Sequence, residues 1–233
     1  MTKIVCSGFL FDMDGVLVDS TPAVARVWSR WGPRHGFDPE WATKMAHGRP
    51  SLSTIQELLP NACPDVHQRE NEWMEREEIL DVADVVALPG VVELLSALAP
   101  DRFAVVTSAT RPLAEVRLGA GGVLKFAHNL ITAGDILRGK PDPEPYLKGA
   151  ALLKLPPAEC IVIEDAPSGV RAGKAAGSRV IGVRTTTPDE ELLAAGANWI
   201  VNDCSSLRLL RTTDGKTECE LNTFETPRAP KMS

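Results

Sequence analysis

The chain has 233 residues, of which 44% are apolar, and its net charge is −6. This length suffices for one large domain or two modest ones, with a core that is stable without cross-links. The acidic balance gives no sign of a nucleic-acid partner, and no apolar stretch approaches the roughly 18 residues that cross a bilayer. Five cysteines without metal-ligand spacing, and an N-terminus without a secretory leader, lead us to expect a reducing, cytoplasmic location.

Short apolar runs rich in strand-forming residues recur along the chain. The first, from Ile4 to Phe11, predicts a buried strand that ends at Asp12. The others lie at 103–107, 130–132, 160–163, 179–183 and 199–201. Helical patterns alternate with them at 90–98, 112–118, 143–153, 168–176 and 189–195. This alternation predicts an α/β fold, a doubly wound, Rossmann-like parallel sheet covered by helices on both faces.

The segment from about Thr21 to Asp84 interrupts this alternation, because it contains only helical patterns. These lie at 22–31, 40–46, 52–59 and 67–80. We therefore predict an inserted α-helical cap domain at 19–84 and an α/β core domain at 1–18 and 85–211. Residues 212–233 are polar and contain two prolines, which favours a tail of low order or, alternatively, a short terminal strand.

Two acidic pairs follow predicted strands. Asp12 and Asp14 come directly after the first strand, and Glu164 and Asp165 follow the strand at 160–163. Ligands of open α/β sheets bind at the carboxyl ends of the strands, so these acids should converge. Crowded carboxylates repel one another unless a cation joins them, and such oxygen ligands suit Mg²⁺. A solvated acidic turn explains either pair alone, but it does not explain why both stand at strand ends of one sheet.

Hydroxyl groups and a lysine complete the set. Thr107 and Ser108 end an apolar strand, where they could bind a phosphate or, more commonly, cap a helix. Lys140 precedes a proline-rich turn that would hold it in place, although by itself it could be an exposed loop lysine. Together with the acids, these groups are the equipment for phosphoryl transfer by positioning and charge neutralisation.

In these motifs and their order, the chain resembles the haloacid dehalogenase superfamily of phosphohydrolases. The resemblance covers the core from Ile4 to Val201 and rests on Phe-Asp-x-Asp-Gly-Val, Thr-Ser, Gly-Lys-Pro and Glu-Asp-x-x-x-Gly. The phrases Gly-Lys-Pro-Asp-Pro-Glu-Pro-Tyr-Leu-Lys-Gly and Glu-Asp-Ala-Pro-Ser-Gly-Val resemble the sugar phosphatase and glycerol phosphate phosphatase branch. The helical insert resembles the cap of the group that includes β-phosphoglucomutase.

The resemblance implies a catalytic role for two aspartates. Asp12 would attack phosphorus and form an aspartyl-phosphate. Asp14 would protonate the leaving alcohol and then act as base toward the hydrolytic water. Thr107, Ser108 and Lys140 would bind the phosphoryl group.

The resemblance also implies a metal site and a specificity loop. Asp165, with Glu164 as helper, would complete a Mg²⁺ site together with Asp12 and the backbone carbonyl of Asp14. His47 and Arg49 would reach the substrate from the cap.

We therefore expect a Mg²⁺-dependent hydrolase of a small sugar or polyol phosphate. Its partner would be this metabolite, with no nucleic acid and no membrane, and the protein would be a monomer or weak homo-oligomer. Asp14 argues for phosphoryl transfer, because haloacid dehalogenases proper lack the second aspartate. A sugar phosphomutase shares all the core residues and is the main alternative. Phosphonate hydrolysis would need a cap lysine, for which only Lys44 is near, and the intact acidic set opposes a non-catalytic binding protein.

Overall fold

The computed structural model describes residues 1–46 and 50–223. Within these ranges, six strands form one sheet: β2 (Gly8–Phe11), β5 (Phe103–Val106), β6 (Leu130–Ile131), β7 (Cys160–Glu164), β8 (Arg179–Val183) and β9 (Trp199–Val201). They stand in the order β6-β5-β2-β7-β8-β9, and every neighbouring pair is parallel. The predicted α/β fold with a parallel sheet is confirmed.

Helices cover both faces of this sheet. They are α5 (Val91–Ala97), α6 (Arg111–Ala120), α7 (Glu144–Leu152), α8 (Pro167–Ala175) and α9 (Asp189–Ala194). Successive side chains of a strand point to opposite faces. Accordingly, Phe9 and Phe11 of β2 pack into one apolar cluster, whereas Leu10 between them packs into the other. The strands are buried on both sides, which is why they appear in the sequence as continuous apolar runs.

The first apolar run is two strands, so its interpretation as one buried strand is wrong. Residues Thr2–Cys6 form β1, which belongs to a separate antiparallel sheet. The two strands are separated at Ser7. Its N–H donates to the Glu159 carbonyl at 2.8 Å, and its hydroxyl donates to the Glu159 carboxylate at 2.6 Å. Burial alternates along β1, with Ile4 inside and Val5 outside, as expected for a strand with one solvent face.

The C-terminal segment forms the rest of this second sheet. Strands β10 (Leu207–Thr213) and β11 (Lys216–Leu221) make an antiparallel hairpin, and β11 also pairs with β1. Their turn is Asp214–Gly215, where φ is 52° and 74°. Such positive values at both central residues are typical of the tight turn that Asp-Gly favours. Up to Leu221, the strand alternative for the tail is therefore the one that the structure adopts.

Among the described residues, four helices lie between Thr21 and Leu80 and are called here the helical insert. They are α1 (Thr21–Arg34), α2 (Pro39–Ala46), α3 (Ser51–Leu58) and α4 (Pro64–Leu80). The insert has its own apolar cluster, in which Trp28, Trp31 and Met74 are almost fully buried. The chain leaves and re-enters the sheet region through a short antiparallel pair, β3 (Val18–Asp19) and β4 (Val86–Ala87). Among the described residues, no helix is long and apolar enough to cross a membrane.

The terminal hairpin should contribute to global stability, because Leu221 of β11 is fully buried in the main core. We expect Leu221→Ala to lower the free energy of unfolding by about 2–5 kcal/mol. Leu137→Ala is the matched control, since Leu137 is 94% exposed, and it should change stability by less than about 0.5 kcal/mol. Urea unfolding of both variants measures the difference. Equal effects would contradict a hairpin that is part of the folded core.

Candidate active site

The predicted functional residues of the core converge at one edge of the parallel sheet. Asp12 follows β2, Thr107 follows β5, and Glu164 ends β7, with Asp165 next to it. Strand β2 lies between β5 and β7, so the three strand ends are adjacent. After β2, the chain adds β5 and β6 on one side of that strand and then β7, β8 and β9 on the other. Where the direction of strand addition reverses, a crevice opens at the carboxyl ends of the strands.

A cavity of about 420 Å³ lies over this crevice. Its lining includes all seven core residues singled out from the sequence: Asp12, Asp14, Thr107, Ser108, Lys140, Glu164 and Asp165. The cap residues His47 and Arg49 lie outside the described residues. Lys44, the candidate for a phosphonate-type lysine, is exposed on α2 and does not belong to the described lining of the cavity.

Lys140 is buried and paired, which contradicts the alternative of an exposed loop lysine. Its side chain is 6% exposed, and Nζ lies 2.5 Å from Asp12 Oδ1 and 2.6 Å from Glu164 Oε1. Nζ also donates to the Val106 carbonyl at 3.1 Å. Burial alone would lower the lysine pKa, but the carboxylates of Asp12 and Glu164 outweigh it and raise the pKa above its ordinary value. Lys140 is therefore a fixed positive charge beside Asp12.

Glu164 holds this lysine in place. Its Oε1 accepts from Lys140 and from the Tyr146 hydroxyl, at 2.7 Å for the tyrosine. Its Oε2 accepts from the backbone N–H groups of Asp165 at 3.0 Å and Ala166 at 3.1 Å. Tyr146 lies on α7 and is fully buried, and although it belongs to the phrase that follows Lys140, the sequence predicted no role for it. The metal role of Glu164 stays a prediction, beside this observed role in positioning Lys140.

Three carboxylates in the crevice could hold a metal ion. Oxygens of Asp12, Glu164 and Asp165 all lie within 4.8 Å of one another. Burial raises the pKa of Asp12 to about 7, with the charges of Glu164 and Asp14 adding to the shift and Lys140 opposing it. Burial, together with the charges of Glu164 and Asp12, raises the pKa of Asp165 well above its ordinary value. Because one lysine does not neutralise three carboxylates, the cluster is suited to a divalent cation.

Each of the two acidic motifs contains a glycine whose backbone lies against a carboxylate of this cluster. Gly15 has a φ of 75°, and a Cβ there would overlap the Asp165 carboxylate. A Cβ on Gly169, in the first turns of α8, would overlap the Glu164 carboxylate. Glycine is the residue that permits both the left-handed conformation and such contact. The glycines in both acidic motifs thus have a direct structural cause.

Asp14 is held by two groups that the sequence analysis missed. Its Oδ1 accepts from the Ser20 hydroxyl at 2.6 Å, and its Oδ2 accepts from Arg117 Nη1 at 2.9 Å. Arg117 lies on α6, 103 positions from Asp14 in the sequence and outside every predicted motif, yet its side chain is only 6% exposed. The available signal was its place on the apolar face of a helix, beside Leu118 and Ala114.

The hydroxyl pair lies at the cavity and does not cap a helix. Thr107 is buried, and its Oγ1 accepts from the backbone N–H of Ala109 at 3.0 Å, which is compatible with donation of the hydroxyl proton to a ligand. Ser108 is exposed at the cavity. The N-cap position of α6 falls on Thr110, so the capping alternative does not apply to Thr107 or Ser108.

The helical insert supplies the opposite side of the cavity. Ser51, Asn71 and Glu75 contribute a hydroxyl, an amide and a carboxylate to its lining. The Ser51 hydroxyl donates to Asn71 Oδ1 at 2.6 Å, and Glu75 accepts from the hydroxyl of Thr110, which precedes α6. The sequence analysis missed Asn71 and Glu75, because a polar face on a helix is also what solvent exposure produces.

Comparison with known proteins gives consistent matches. The model of the haloacid dehalogenase-like hydrolase family matches residues 6–177. Hexitol phosphatase A of Escherichia coli is 43% identical over 76% of this chain and 83% of that protein. Glycerol-1-phosphate phosphohydrolase 2 of Saccharomyces cerevisiae is 34% identical over 86% of this chain and 83% of its own. A hydrolase structure from Pseudomonas syringae superposes with a TM-score of 0.77 at 26% identity, covering 86% of this chain and 94% of that one.

Because Gly169 lies in close contact with Glu164, we expect alanine to destabilise the protein at Gly169 but not at another helical glycine, Gly119. Gly169→Ala should lower the free energy of unfolding by about 1–3 kcal/mol, because the methyl group must displace a buried, fully hydrogen-bonded carboxylate. Gly119→Ala on α6 is the control: its Cβ would meet nothing closer than 4.0 Å, and the exchange should be neutral or stabilising by up to about 1 kcal/mol. Thermal and urea unfolding compare them. A neutral Gly169→Ala would refute the contact.

Proposed function

Since the chain belongs to the haloacid dehalogenase-like hydrolase family, we propose that it hydrolyses small sugar or polyol phosphate monoesters through an aspartyl-phosphate on Asp12. It is a phosphatase of that family. The observation that carries the mechanism is the position of Asp12, buried at the floor of the cavity and 2.5 Å from a fixed lysine charge. A carboxylate so placed can approach an anionic phosphate that it would otherwise repel.

The proposed substrate class rests on the cavity and on the relatives. Its volume of about 420 Å³ is in the range of small-molecule sites. The insert lines it with neutral and acidic hydrogen-bonding groups at Ser51, Asn71 and Glu75, which can bind hydroxyl groups. The names of the two relatives above are those of a hexitol phosphatase and a glycerol phosphate phosphatase. A polyol phosphate matches both observations, and the insert would act as a cap over it.

In the proposed first step, an Asp12 oxygen attacks phosphorus and the bond from phosphorus to the leaving oxygen breaks. Lys140 and the Thr107 hydroxyl bind the phosphoryl oxygens, where negative charge concentrates. Asp14 donates a proton to the leaving oxygen, so that an alcohol departs. In the second step Asp14 takes a proton from water as the water attacks phosphorus, and phosphate and free Asp12 result.

Asp12, Asp165 and the backbone carbonyl of Asp14 would hold a Mg²⁺ ion. The ion would supply positive charge that offsets the carboxylates and the phosphate. Glu164 would stabilise the positions of Lys140 and Asp165 at this site, because it accepts hydrogen bonds from Lys140 Nζ and from the Asp165 backbone N–H. Burial and the neighbouring acids raise the pKa values of Asp12 and Asp165, and a cation bound by these carboxylates would favour their charged forms.

Turnover of a panel of phosphate monoesters, with and without chelator, tests this function. The panel contains glycerol and hexitol monophosphates, sugar monophosphates and a phosphopeptide. We expect release of inorganic phosphate from polyol and sugar monophosphates, loss of activity with chelator and recovery with Mg²⁺. Asp12→Asn should lower kcat on the order of a thousandfold or more, because an amide cannot act as the nucleophile.

Three outcomes would contradict the proposal. They are comparable turnover by Asp12→Asn, full activity without metal, and hydrolysis of the phosphopeptide alone. Conversion of a sugar monophosphate to its isomer without phosphate release would establish the mutase instead.

The pKa of Asp12 predicts how Mg²⁺ binding depends on pH. A carboxyl group with a raised folded-state pKa stabilises the metal-free fold at low pH and loses this contribution as pH rises from its ordinary value of 3.8 to about 7. Mg²⁺ needs the carboxylate form, so its apparent affinity should weaken about tenfold per pH unit below about 7. The rise in Tm on adding Mg²⁺ should therefore be larger at pH 8 than at pH 6. Equal shifts would contradict the pKa assignment.

A further inference from the structure

Arg117 stands between a carboxylate of the core and a carboxylate of the helical insert. Its Nη1 donates to Asp14 Oδ2 at 2.9 Å, and its Nη2 donates to Glu78 Oε2 at 3.1 Å. Glu78 belongs to the last turns of α4 and is itself buried. The guanidinium is a rigid planar fork, so the direction of one hydrogen bond constrains the other. The position of α4 and the orientation of the Asp14 carboxylate are thus joined through one side chain.

A contribution to folding stability does not by itself explain why Arg117 is buried and paired with two carboxylates. Arg117 projects from the buried face of α6, next to Leu113, Ala114 and Leu118, where an apolar residue would pack without loss of hydration. Its Nε has no hydrogen-bond partner among the described residues. Replacement of buried ion pairs by apolar residues of similar volume is often neutral or stabilising. The residue that Arg117 contacts is the one that the proposed reaction needs as proton donor.

A second contact ties the same two helices together. Glu75 lies one turn before Glu78 on α4 and accepts from Thr110, the N-cap residue of α6. Helix α4 is therefore hydrogen-bonded to Thr110, before the first turn of α6, and to Arg117, two turns further along. Both residues line the cavity. A shift of α4 relative to α6 moves Glu78 with respect to Arg117, while Ser20 holds the other oxygen of Asp14 at 2.6 Å.

We infer that Arg117 is a positioning residue that sets the orientation of the Asp14 carboxylate, and that Glu78 transmits the position of the helical insert to it. The inference rests on the proposed role of Asp14 as proton donor to the leaving oxygen. Proton donation matters for an alkyl alcohol, which leaves poorly as an alkoxide, and matters little for para-nitrophenol, which leaves readily as an anion.

The test compares kcat/KM for a polyol monophosphate with kcat/KM for para-nitrophenyl phosphate, because kcat/KM covers the steps up to departure of the leaving group and not the later hydrolysis, which both esters share. In Arg117→Met, which keeps much of the volume, the loss on the polyol ester should be on the order of a hundredfold, against less than about fivefold on the aryl ester. Arg117→Lys keeps the charge without the fork and should show the same pattern with a smaller loss. Glu78→Gln, which leaves the Arg117–Asp14 pair intact, should also lose more on the polyol ester. Arg111→Met is the control, because Arg111 is a half-exposed arginine of the same helix, and both rates should stay unchanged.

Equal losses on both esters in the Arg117 variants would overturn the inference, since a merely structural role affects both reactions alike. Wild-type rates on both esters would also overturn it. If Arg117→Met does not fold, Arg117→Lys and Glu78→Gln decide by the same criterion. Asp14→Asn separates this inference from the proposed function: a selective loss on the polyol ester in Asp14→Asn, absent from the Arg117 and Glu78 variants, refutes the inference alone. No selective loss in Asp14→Asn refutes the proposed role of Asp14 itself.

Discussion

Lys140 places a positive charge between two buried carboxylates, and the geometry of the whole crevice follows from this contact. Its ammonium lies within 2.6 Å of oxygens of Asp12 and Glu164 and also donates to a strand-end carbonyl. Charges removed from water are tolerated only when they are paired and hydrogen-bonded. One lysine against the carboxylates of Asp12, Glu164 and Asp165 leaves two negative charges in excess. Burial and that excess together raise the pKa values of Asp12 and Asp165, and the excess suits a divalent cation.

The fold serves this arrangement by bringing three strand ends together. Strand β2 carries Asp12 at the centre of the sheet, with β5 and β7 on its two sides. The backbone around the acids comes so close that only glycine fits at Gly15 and Gly169. Rigid strands thus position the reacting groups, while the helical insert closes the opposite side of the cavity with hydrogen-bonding side chains.

Much of this site could be predicted from the sequence, because strand-end motifs are local. Asp12, Thr107 and Glu164 follow short apolar runs, and a parallel sheet brings such ends to one edge whatever its exact strand order. The Asp214–Gly215 pair also indicates a hairpin turn, which favours the strand alternative for the tail over low order. The interruption at Ser7 was not visible, because a half-buried strand followed directly by a buried one looks like one apolar run.

The partners of the motif residues could not be predicted, because they are distant in the sequence and of ordinary type. Arg117 donates to Asp14 across 103 positions, and Tyr146 on α7 donates to Glu164 across 18. A lysine before a proline is an exposed loop residue in most sequences, and only the fold buries this one. Contacts of this kind depend on how helices pack on the sheet, which periodicity does not specify.

Identification of the phosphorylated residue during turnover tests the central claim most directly. Enzyme mixed with a polyol monophosphate and Mg²⁺ is quenched in acid within a single turnover, digested and mapped by mass spectrometry. The account predicts one phosphoryl group on the peptide that contains Asp12, formed and lost at rates that match turnover. A phosphoryl group on any other residue, or turnover without a phosphorylated enzyme at any time point, would contradict it.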